Sequence, residues 1–390
     1  MHSNICTSTH TMTTKRTQPI IIAVGGGNAE NILSVEQGIT FGNKHIAEAT
    51  ELFGGSAVNY AMRLLCTGYT VFPILTIGND EIGKKIHHAF IALTKKNHVN
   101  SPVLDFLISK ESDTYFLDPN IKTSNTTILV QGSTRTIFTQ KLRNGKYFIK
   151  QLRRRVEYIY HMTNTSPDMI MIGHIQSDSK DINPKNTGES TKYLIDHYHQ
   201  TSQLFCNFGS SQIELGFEFW KSDLAKIDIL QLNLEEAKRF FSSDKSKKSL
   251  QEIVALIHTL DITAIITLDR FGALGIHKKR NNSFILAWPI IDVQEVIDPT
   301  GAGDAFAAGI VSRLCDKPNF SIDEFQSAIR TGRSWAAIAC KTIGGVGDCP
   351  SMAELEDFDL WLKENGAREI EIKDSENAAE IMTLLDIAFQ

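Results

Sequence analysis

Short apolar runs recur along this chain, and they constrain its fold more than any other feature of the sequence. The runs lie at residues 20–24, 71–77, 169–172, 204–208, 227–232 and 264–268. Runs of this length are typical of strands that are buried on both faces of a sheet. Segments with helical spacing of apolar residues, such as 56–65, 193–200 and 234–241, lie between them. The alternation predicts an α/β fold in which helices cover both faces of a mostly parallel sheet, a three-layer αβα architecture.

One region departs from this alternation. Residues 113–117, 126–130 and 135–139 have the length and composition of short strands, and Gly132-Ser133 supplies a turn between the last two. We therefore expect a small β-sheet, built from parts of residues 34–53 and 113–139, that stands off the main sheet as a lid. Its exposed face is a candidate surface for a homodimer.

The chain is long enough for one large domain with an accessory element. We assign residues 19–352 to this domain, the lid included. Residues 1–18 are polar, and we expect them to be a disordered tail. Residues 353–390 carry helical patterns, and we expect a helical extension there that packs on the domain or follows it.

Composition and charge argue against several classes of protein. A net charge of −5 disfavours nucleic-acid binding, which needs concentrated Lys and Arg. No apolar stretch approaches the roughly 20 residues that a membrane-spanning helix needs. The six cysteines are scattered and form no C-x-x-C pair, which favours a reduced protein over a disulfide framework or a zinc site. We predict a cytoplasmic protein that binds neither nucleic acid nor membranes.

The segment with the most chemical content is Asp298-Pro-Thr-Gly-Ala-Gly-Asp304, which leads into apolar residues with helical spacing. Its glycines allow backbone N–H groups to converge at a helix N-terminus, where they can hold a phosphoryl group in transfer. A carboxylate on the first turn, that of Asp304, can accept the proton of an attacking hydroxyl. The alternative is a glycine turn in which Asp304 only caps the helix.

Residues 298–304 resemble the C-terminal signature of the ribokinase family, also called the PfkB family of carbohydrate kinases. The resemblance implies a ribokinase-like kinase domain in which Asp304 is the catalytic base and Gly301-Ala302-Gly303 forms the anion hole. It also implies that Asp298 and Thr300 lie beside a monovalent-cation site, for which K⁺ is the candidate ion.

Two further segments match the family in the expected order. Gly54-Gly55-Ser-Ala-Val-Asn59 resembles the double-glycine signature, which implies that Gly54, Gly55 and Asn59 approach the substrate. Asn233-Leu-Glu-Glu236 resembles the Asn-x-x-Glu motif, which implies that Asn233 and Glu236 help to position Mg²⁺ and phosphate through water. If the resemblance to the family is set aside, Gly54-Gly55 predicts only a turn. Asn233 then predicts a helix cap, with Glu236 at the capping-box position.

The nucleotide site is implied by a fourth match. Residues 267–272 resemble the strand and turn that contact ATP in the family, which implies roles for Thr267, Asp269 and Gly272. Asp269 stands where this turn usually has glycine, so we expect a different contact to the purine. Asn207 lies where the family often has an asparagine before a turn and is assigned to the same site.

The segment that would bind the phosphoryl acceptor departs from the family pattern. The family presents an aspartate to the sugar hydroxyls, whereas this chain has Glu30 at that position, with Asn28 two residues earlier. Glutamate still accepts two hydrogen bonds but reaches about one methylene further. Gln176, which follows the run at 169–172, is a further candidate contact and could equally be a loop residue.

Two other glycine-rich segments resemble nucleotide-binding motifs, but each departs from its motif at a position that the motif requires. The segment 25–30 begins like a dinucleotide fingerprint, but Glu30 occupies the third glycine position, where it would repel pyrophosphate. The segment 78–85 nearly spells a P-loop, but Lys85 replaces the Ser or Thr that binds Mg²⁺. We predict neither a dehydrogenase nor a P-loop enzyme.

The resemblance implies an enzyme that uses ATP and Mg²⁺ to phosphorylate a hydroxyl of a sugar or sugar-like molecule. A nucleoside kinase and a non-catalytic, ligand-binding member of the same fold are the alternatives. Intact Gly301, Gly303 and Asp304 favour an active enzyme, while the altered segment around Glu30 keeps the non-catalytic alternative open.

Overall fold

The computed structural model describes most of the chain. The described residues are 18–35, 38–40, 42–97, 101–109, 116–131, 134–140, 145–175, 187–242, 247–278, 283–287, 296–346 and 349–372. Several expectations therefore lie outside them: the tail 1–17, the contact Gln176, the turn at Gly132-Ser133 and the segment 373–390.

The strands are β1 (Ile20–Gly26), β2 (Asn28–Ser34), β3 (Glu48–Gly54), β4 (Thr70–Thr76), β5 (Ser124–Gln131), β6 (Thr134–Thr139), β7 (Met169–Ile172), β8 (Gln203–Asn207), β9 (Ile229–Asn233), β10 (Ala264–Thr267), β11 (Ala273–Ile276), β12 (Ser283–Ala287) and β13 (Arg368–Ile372). The helices are α1 (Ser56–Cys66), α2 (Glu81–Lys96), α3 (Ser101–Ile108), α4 (Gly145–Thr163), α5 (Glu189–Tyr198), α6 (Ser210–Ile213), α7 (Phe217–Leu224), α8 (Leu234–Phe241), α9 (Leu250–Leu260), α10 (Ala302–Leu314), α11 (Ile322–Ala339) and α12 (Met352–Glu364).

Within the described ranges, nine strands form the main sheet in the order β13-β12-β11-β10-β9-β8-β7-β1-β4. The six strands β10, β9, β8, β7, β1 and β4 pair in parallel, and β11, β12 and β13 add an antiparallel edge. Every residue of β1 from Ile20 to Gly25 is buried. Since successive side chains of a strand point to opposite faces, both faces of the sheet are covered. The predicted three-layer α/β fold is confirmed.

The second sheet has the order β3-β2-β5-β6 and corresponds to the predicted lid. Segments 126–130 and 135–139 lie within β5 and β6. The expectation for 34–53 was incomplete, because β2 lies almost wholly before residue 34 and pairs with both β3 and β5. Of the segment 113–117, residues 116 and 117 form bends rather than a strand, and 113–115 lie outside the description.

The C-terminal extension is not purely helical, contrary to our expectation. After α12, the chain forms β13, which pairs antiparallel with β12 at the edge of the main sheet. The last four residues of β13, Glu-Ile-Glu-Ile, alternate between polar and apolar, which is the two-residue period typical of a strand with one apolar face.

The lid joins the main sheet at the carboxyl ends of the parallel strands. Strand β1 ends at Gly26, and β2 begins two residues later. The N–H of Gly26 donates to the carbonyl oxygen of His174, just after β7, at 2.9 Å. Binding sites of open parallel sheets lie at this edge. None of the helices in the described residues is long and apolar enough to cross a membrane.

Candidate active site

Helix α10 begins at a glycine because its entry needs a backbone that other residues rarely adopt. Gly301 is the N-cap residue with φ of 76°, and a Cβ there would lie 2.6 Å from the carbonyl oxygen of Gly345. Glycine therefore meets both a conformational and a steric requirement. A second link comes from β9, where the side-chain amide of Gln231 donates to the carbonyl oxygen of Gly303 at 3.0 Å.

Asp304 lies on the first turn of α10, and its carboxylate turns toward α1 rather than capping its own helix. Nδ2 of Asn59 donates to Oδ2 of Asp304 at 2.7 Å, and the Ser56 side chain forms a second hydrogen bond to the same carboxylate. The N-cap of α10 has no side-chain hydrogen bond. The capping interpretation of Asp304 is therefore wrong, and the N-terminal turns of two helices meet at this carboxylate.

The pKa of Asp304 is raised above its usual value. Burial is the main cause, while the hydrogen bond from Asn59, the positive charge of Arg63 and the hydrogen bond from Ser56 act in the opposite direction. A carboxylate with a raised pKa holds a proton more strongly, which brings it closer to the range of an effective general base near neutral pH.

The three residues of the predicted anion hole differ in their amide groups. The N–H of Ala302 donates to the carbonyl oxygen of Pro299 at 3.2 Å, so that amide is engaged within the turn. The amides of Gly301 and Gly303 donate to no acceptor within the described part of the chain. Gly303 is exposed, and no atom lies within 4 Å of the position that its Cβ would take. The open side of the turn therefore lies at Gly303.

Asn233 and Glu236 form the capping box of α8, as the interpretation without the family predicted. Oδ1 of Asn233 accepts from the N–H of Glu236 at 2.8 Å, and Oε2 of Glu236 accepts from the N–H of Asn233 at 2.9 Å. The pKa of Glu236 is raised by burial, and the nearby charge of Asp304 raises it further. The cap therefore also carries a carboxylate that faces the Asp304 site.

Asp298 joins two loops. Its Oδ1 accepts from the N–H of Thr300 and its Oδ2 accepts from the N–H of Gly344, each at 2.9 Å. The N–H groups of Ile297 and Asp298 in turn donate to the carbonyl oxygen of Cys340. The carboxylate of Asp298 thus holds the segment before α10 against the segment after α11.

The residues assigned to the nucleotide lie at or just after the carboxyl ends of β8 and β10, the two strands that flank β9 in the main sheet. Asn207 and Thr267 end β8 and β10 and are partly buried. Asp269 has φ of 51° and Gly272 has φ of 98°, and the N–H of Leu268 closes the turn on the carbonyl oxygen of Gly272 at 2.7 Å. Asp is one of the residues that tolerate a left-handed backbone, which explains why it can replace glycine at 269.

A cavity of about 210 Å³ lies between the lid and the main sheet. Its lining combines small residues, hydroxyl groups and one carboxylate from both sheets. The lining residues are Gly26, Gly27, Asn28, Glu30, Gly55, Ser56, Thr76, Ser124, Thr126, Ile128, Ile137, Thr139, His174 and Thr300. Ser56, which also contacts the Asp304 carboxylate, places that carboxylate beside one end of the cavity.

Glu30 and Asn28 explain why β3 ends at a pair of glycines, Gly54 in the strand and Gly55 directly after it. Nδ2 of Asn28 lies 3.4 Å from Oε1 of Glu30, and donates to Oγ1 of Thr126 at 3.2 Å. A Cβ on Gly54 would lie 2.4 Å from Oε1 of Glu30. Gly55 has φ of 105°, and a Cβ there would lie 2.6 Å from Oδ1 of Asn28. The glycine pair therefore leaves room for these two polar side chains, which a simple turn would not require.

Two residues that we expected to approach the substrate do not line the cavity. Asn59 does not line the cavity, because its amide is directed to Asp304 and its surroundings are closed by Gly345. Gly54 does not line it either, since it packs behind Glu30. Asn28, Glu30 and Gly55 do line it, and Gln176 lies outside the described residues.

Sequence reasoning missed three parts of the site. His174 lines the cavity, with Nε2 at 3.0 Å from Oγ of Ser211, and burial lowers its pKa to about 4. Ser56 was named only as part of a motif. Gly344 and Gly345, from the glycine cluster after α11, pack against Asp298, Gly301 and Asn59. The glycine cluster was a usable signal, whereas nothing in the sequence marked one histidine among twelve.

The chain is similar to a known family over its C-terminal half. A family model described as pfkB family carbohydrate kinase matches residues 220–352. This range contains Asn233, Glu236, the turn 267–272 and Asp304, but it does not extend to the substrate segment around Glu30.

Similar proteins extend the likeness along the chain. ATP-dependent 6-phosphofructokinase from Thermoanaerobacterium thermosaccharolyticum is 26% identical over 319 residues, which cover 79% of this chain and 85% of that protein. Ribokinase from Thermotoga maritima has a TM-score of 0.64 at 18% identity and covers 87% and 99% of the two chains. Burkholderia thailandensis nucleoside kinase in complex with inosine has a TM-score of 0.63 at 17% identity and covers 88% and 97%.

Proposed function

Because this chain belongs to the ribokinase or pfkB family of carbohydrate kinases, we propose that it transfers the γ-phosphoryl group of ATP to a hydroxyl group of an uncharged sugar. One observation carries the proposal: the Asp304 carboxylate is held by Asn59 and Ser56 at the start of a helix, beside a cavity lined by hydroxyl groups.

In the proposed reaction, the hydroxyl oxygen of the sugar attacks the γ-phosphorus, and Asp304 accepts the hydroxyl proton. The bond between the γ-phosphorus and the bridging oxygen breaks, and ADP leaves with the electron pair. The amides of Gly301 and Gly303 are available to hydrogen bond the phosphoryl oxygens at the N-terminus of α10, where the helix dipole favours negative charge.

Mg²⁺ fits this site as an ion held mainly by the nucleotide. Mg²⁺ in kinases keeps several waters and binds one or two carboxylates together with substrate phosphates. The half-buried carboxylate of Glu236 faces the Asp304 site and would contribute through water, with Asn233 holding it in place. When bound, the ion neutralises charge on the β- and γ-phosphates.

K⁺ at Asp298 and Thr300 is part of the proposal as well. Each Asp298 oxygen already accepts one backbone N–H and has a further lone pair. Asp298 joins the segment before α10 to the segment after α11 and comes three residues before Gly301, the first residue of the proposed anion hole, which supports a cation site there. A cation there would stabilise the loop that begins α10 without taking part in the transfer.

The cavity supports an uncharged acceptor. Among the described lining residues there is no Lys or Arg, and His174 is neutral at physiological pH because burial lowers its pKa to about 4. Glu30, the one charged lining residue that the cavity presents, would accept hydrogen bonds from a pair of hydroxyls and repel a phosphate or carboxylate. A sugar phosphate, the substrate class that the name of the phosphofructokinase relative indicates, therefore fits this cavity poorly.

A nucleoside is the second candidate for the acceptor, because a structurally similar nucleoside kinase was solved with inosine. The cavity volume of about 210 Å³ is below the roughly 300–1,000 Å³ of pockets for drug-sized ligands. A single sugar ring is therefore the better fit, and the nucleoside is the alternative to be tested.

The outer face of the lid supports a homodimer. Strand β6 is an edge of the lid sheet, and Phe138 on it is more than half exposed, whereas the adjacent Ile137 lines the cavity on the opposite face. An edge strand with exposed apolar residues tends to pair with another chain. Sedimentation of the wild type and of Phe138→Lys would test this, and two monomeric proteins would contradict it.

The test of function is ADP formation measured against pentoses, hexoses, hexose phosphates and nucleosides. We expect turnover with an uncharged sugar and a kcat about 10²–10⁴-fold lower in Asp304→Asn. Asp196→Asn, a change of an exposed carboxylate remote from the site, is the matched control and should leave kcat unchanged. Equal activity of Asp304→Asn and the wild type would exclude Asp304 as the base. If a hexose phosphate is the best substrate, the proposal of an uncharged acceptor is wrong. Binding of a sugar without turnover would indicate a non-catalytic member of the fold.

A further inference from the structure

Arg63 is a buried arginine whose charge is only partly compensated by hydrogen bonds. It lies on α1 one turn after Asn59, and its side chain is fully buried. Nη1 donates to the carbonyl oxygen of Asn59 at a long 3.5 Å, while Nε and Nη2 have no partner among the described residues. Burial of a guanidinium with so few partners is costly, so its presence calls for a compensating role.

The electrostatic partner of Arg63 is Asp304. Burial lowers the pKa of Arg63, and the charge of Asp304 is the largest opposing influence. In return, the charge of Arg63 lowers the pKa of Asp304 against the effect of burial. Arginine remains protonated under these conditions. A fixed positive charge therefore acts on the Asp304 carboxylate from α1.

Other ionisable groups near this pair do not replace Arg63. The charge of Asp304 raises the pKa values of Glu236, from α8, and of Tyr60, from α1. Cys340 and Cys349 face Arg63 from the segment after α11. Glu236 adds negative charge to the site, and Tyr60 is neutral. Among the described residues in this set, Arg63 is the positive charge that acts on Asp304.

We infer that Arg63 is a positioning residue, whose buried charge keeps the Asp304 carboxylate ionised and, through Asn59, oriented toward the phosphoryl acceptor. The inference rests on the proposed function in that Asp304 is taken as the base. Asn59 couples the two residues, since its carbonyl oxygen accepts from Arg63 and its side-chain amide donates to Asp304.

A purely structural role for Arg63 predicts a different outcome. If Arg63 only packed the core, its replacement would lower stability and leave the pH profile in place. If its charge serves Asp304, Arg63→Met retains most of the volume but leaves the buried carboxylate without its cation, so stability falls at neutral pH and recovers on acidification as the carboxyl takes up a proton. The variant then loses activity toward acidic pH, because the carboxylate is protonated more readily.

The role of Arg63 is tested by measuring kcat/KM from pH 5 to 9 for the wild type, Arg63→Met and Arg63→Lys. Thermal unfolding of each protein is measured alongside. We expect the acidic limb of Arg63→Met to move to higher pH, with activity on that limb reduced about tenfold for each pH unit of movement. Arg63→Lys should stay near the wild type. Coincident acidic limbs for the wild type and Arg63→Met would overturn the inference.

Arg155→Met is the matched control, because Arg155 is also fully buried but donates to the carbonyl oxygens of Leu75 and Phe116. It should lower stability and leave the acidic limb in place. If the wild type phosphorylates nothing, the proposed function fails, and the ¹³C resonance of the Asp304 carboxyl still decides the inference. Its titration midpoint, with the resonance assigned by loss in Asp304→Asn, should be higher in Arg63→Met, and an unchanged midpoint would overturn the role of Arg63.

Discussion

Asn59 and Asp304 are 245 residues apart in the sequence, yet the Nδ2 atom of one lies 2.7 Å from the Oδ2 atom of the other. The contact joins the first turn of α1, which follows the lid, to the first turn of α10, which follows the glycine loop. One hydrogen bond therefore connects the helix that begins beside the cavity to the helix that begins at the glycine loop. The chemistry proposed for Asp304 depends on α1 as much as on its own loop.

Loss of the Asn59 amide should weaken the base without preventing binding of either substrate. A hydrogen bond to a charged group contributes about 1.5–3 kcal/mol, which corresponds to roughly a 10–150-fold effect. We expect kcat of Asn59→Ala to fall within that range, while the KM for ATP stays within about threefold. Steady-state kinetics of both substrates would check this, and a loss confined to KM for the sugar would instead place Asn59 in substrate binding.

The buried carboxylate of Asp304 should also lower the stability of the folded protein at neutral pH. Burial raises the pKa of Asp304 above its usual value of about 3.9, so the folded protein holds this proton more tightly than the unfolded chain does. The resulting destabilisation is complete above the pKa of the folded state and disappears as the pH falls below the usual pKa of about 3.9. We therefore expect Asp304→Asn to be more stable than the wild type at pH 7. Urea unfolding at pH 7 and at pH 4 should show a gain that shrinks on acidification, and a constant gain would contradict this assignment.

Gly55, directly after β3, should respond to substitution differently from a glycine in open space. Gly55→Ala places a Cβ against Oδ1 of Asn28 and the carbonyl oxygen of Gly26, both at 2.6 Å, and strains a φ of 105°. Gly68→Ala strains a similar φ of 91° with no atom within 4 Å. We expect about 1 kcal/mol of destabilisation at Gly68, and at least about 2 kcal/mol with a raised sugar KM at Gly55. Equal losses measured by urea unfolding would show that backbone strain alone accounts for Gly55.

Glu30 should determine the affinity for the sugar. Its carboxylate is 5% exposed and lines the cavity, whereas Glu51, also in the lid sheet, is exposed and pairs with Lys85. Removal of a charged acceptor costs about 1.5–3 kcal/mol, so the sugar KM of Glu30→Gln should rise roughly 10–150-fold with little change in the KM for ATP. Glu51→Gln is the matched control and should behave like the wild type. A Glu30→Gln enzyme with an unchanged sugar KM would remove Glu30 from the substrate site.

Cys66 should react as a thiolate near neutral pH. A hydrogen bond from Cys349 is the main cause that lowers the pKa of Cys66 to about 7; burial opposes it, and the charge of Lys96 assists. The rate of iodoacetamide alkylation at Cys66, followed by mass spectrometry of peptides, should rise with a midpoint near pH 7. In Cys349→Ala, which removes the donor, the midpoint should move toward the usual thiol value of about 8.5. The same midpoint in both proteins would exclude Cys349 as the cause.

The glycine loop shows how far a local pattern can be interpreted. Gly301 and Gly303 predicted a helix N-terminus with open amides, and α10 begins there. Asn233 and Glu236 predicted a capping box, which is present. These features depend on residues within a few positions of one another, so their geometry is encoded locally. The lid strand β2 was missed because Asn28–Ser34 has no clear alternation of its own and becomes a strand through pairing with β3 and β5.

The sequence by itself determined the layered α/β fold, the position of the glycine loop and the identity of Asp304 as the carboxylate on it. Only the tertiary structure decided what surrounds that carboxylate and what lines the cavity beside it. Asn59, Ser56 and Arg63 come from α1, His174 from the segment after β7, and Gly345 from the segment after α11. Hydrophobic periodicity and turn chemistry act over a few residues and can be read along the chain. The pKa of Asp304 and the shape of the cavity depend on burial and on contacts between distant segments, which exist only once the sheet and its helices have packed.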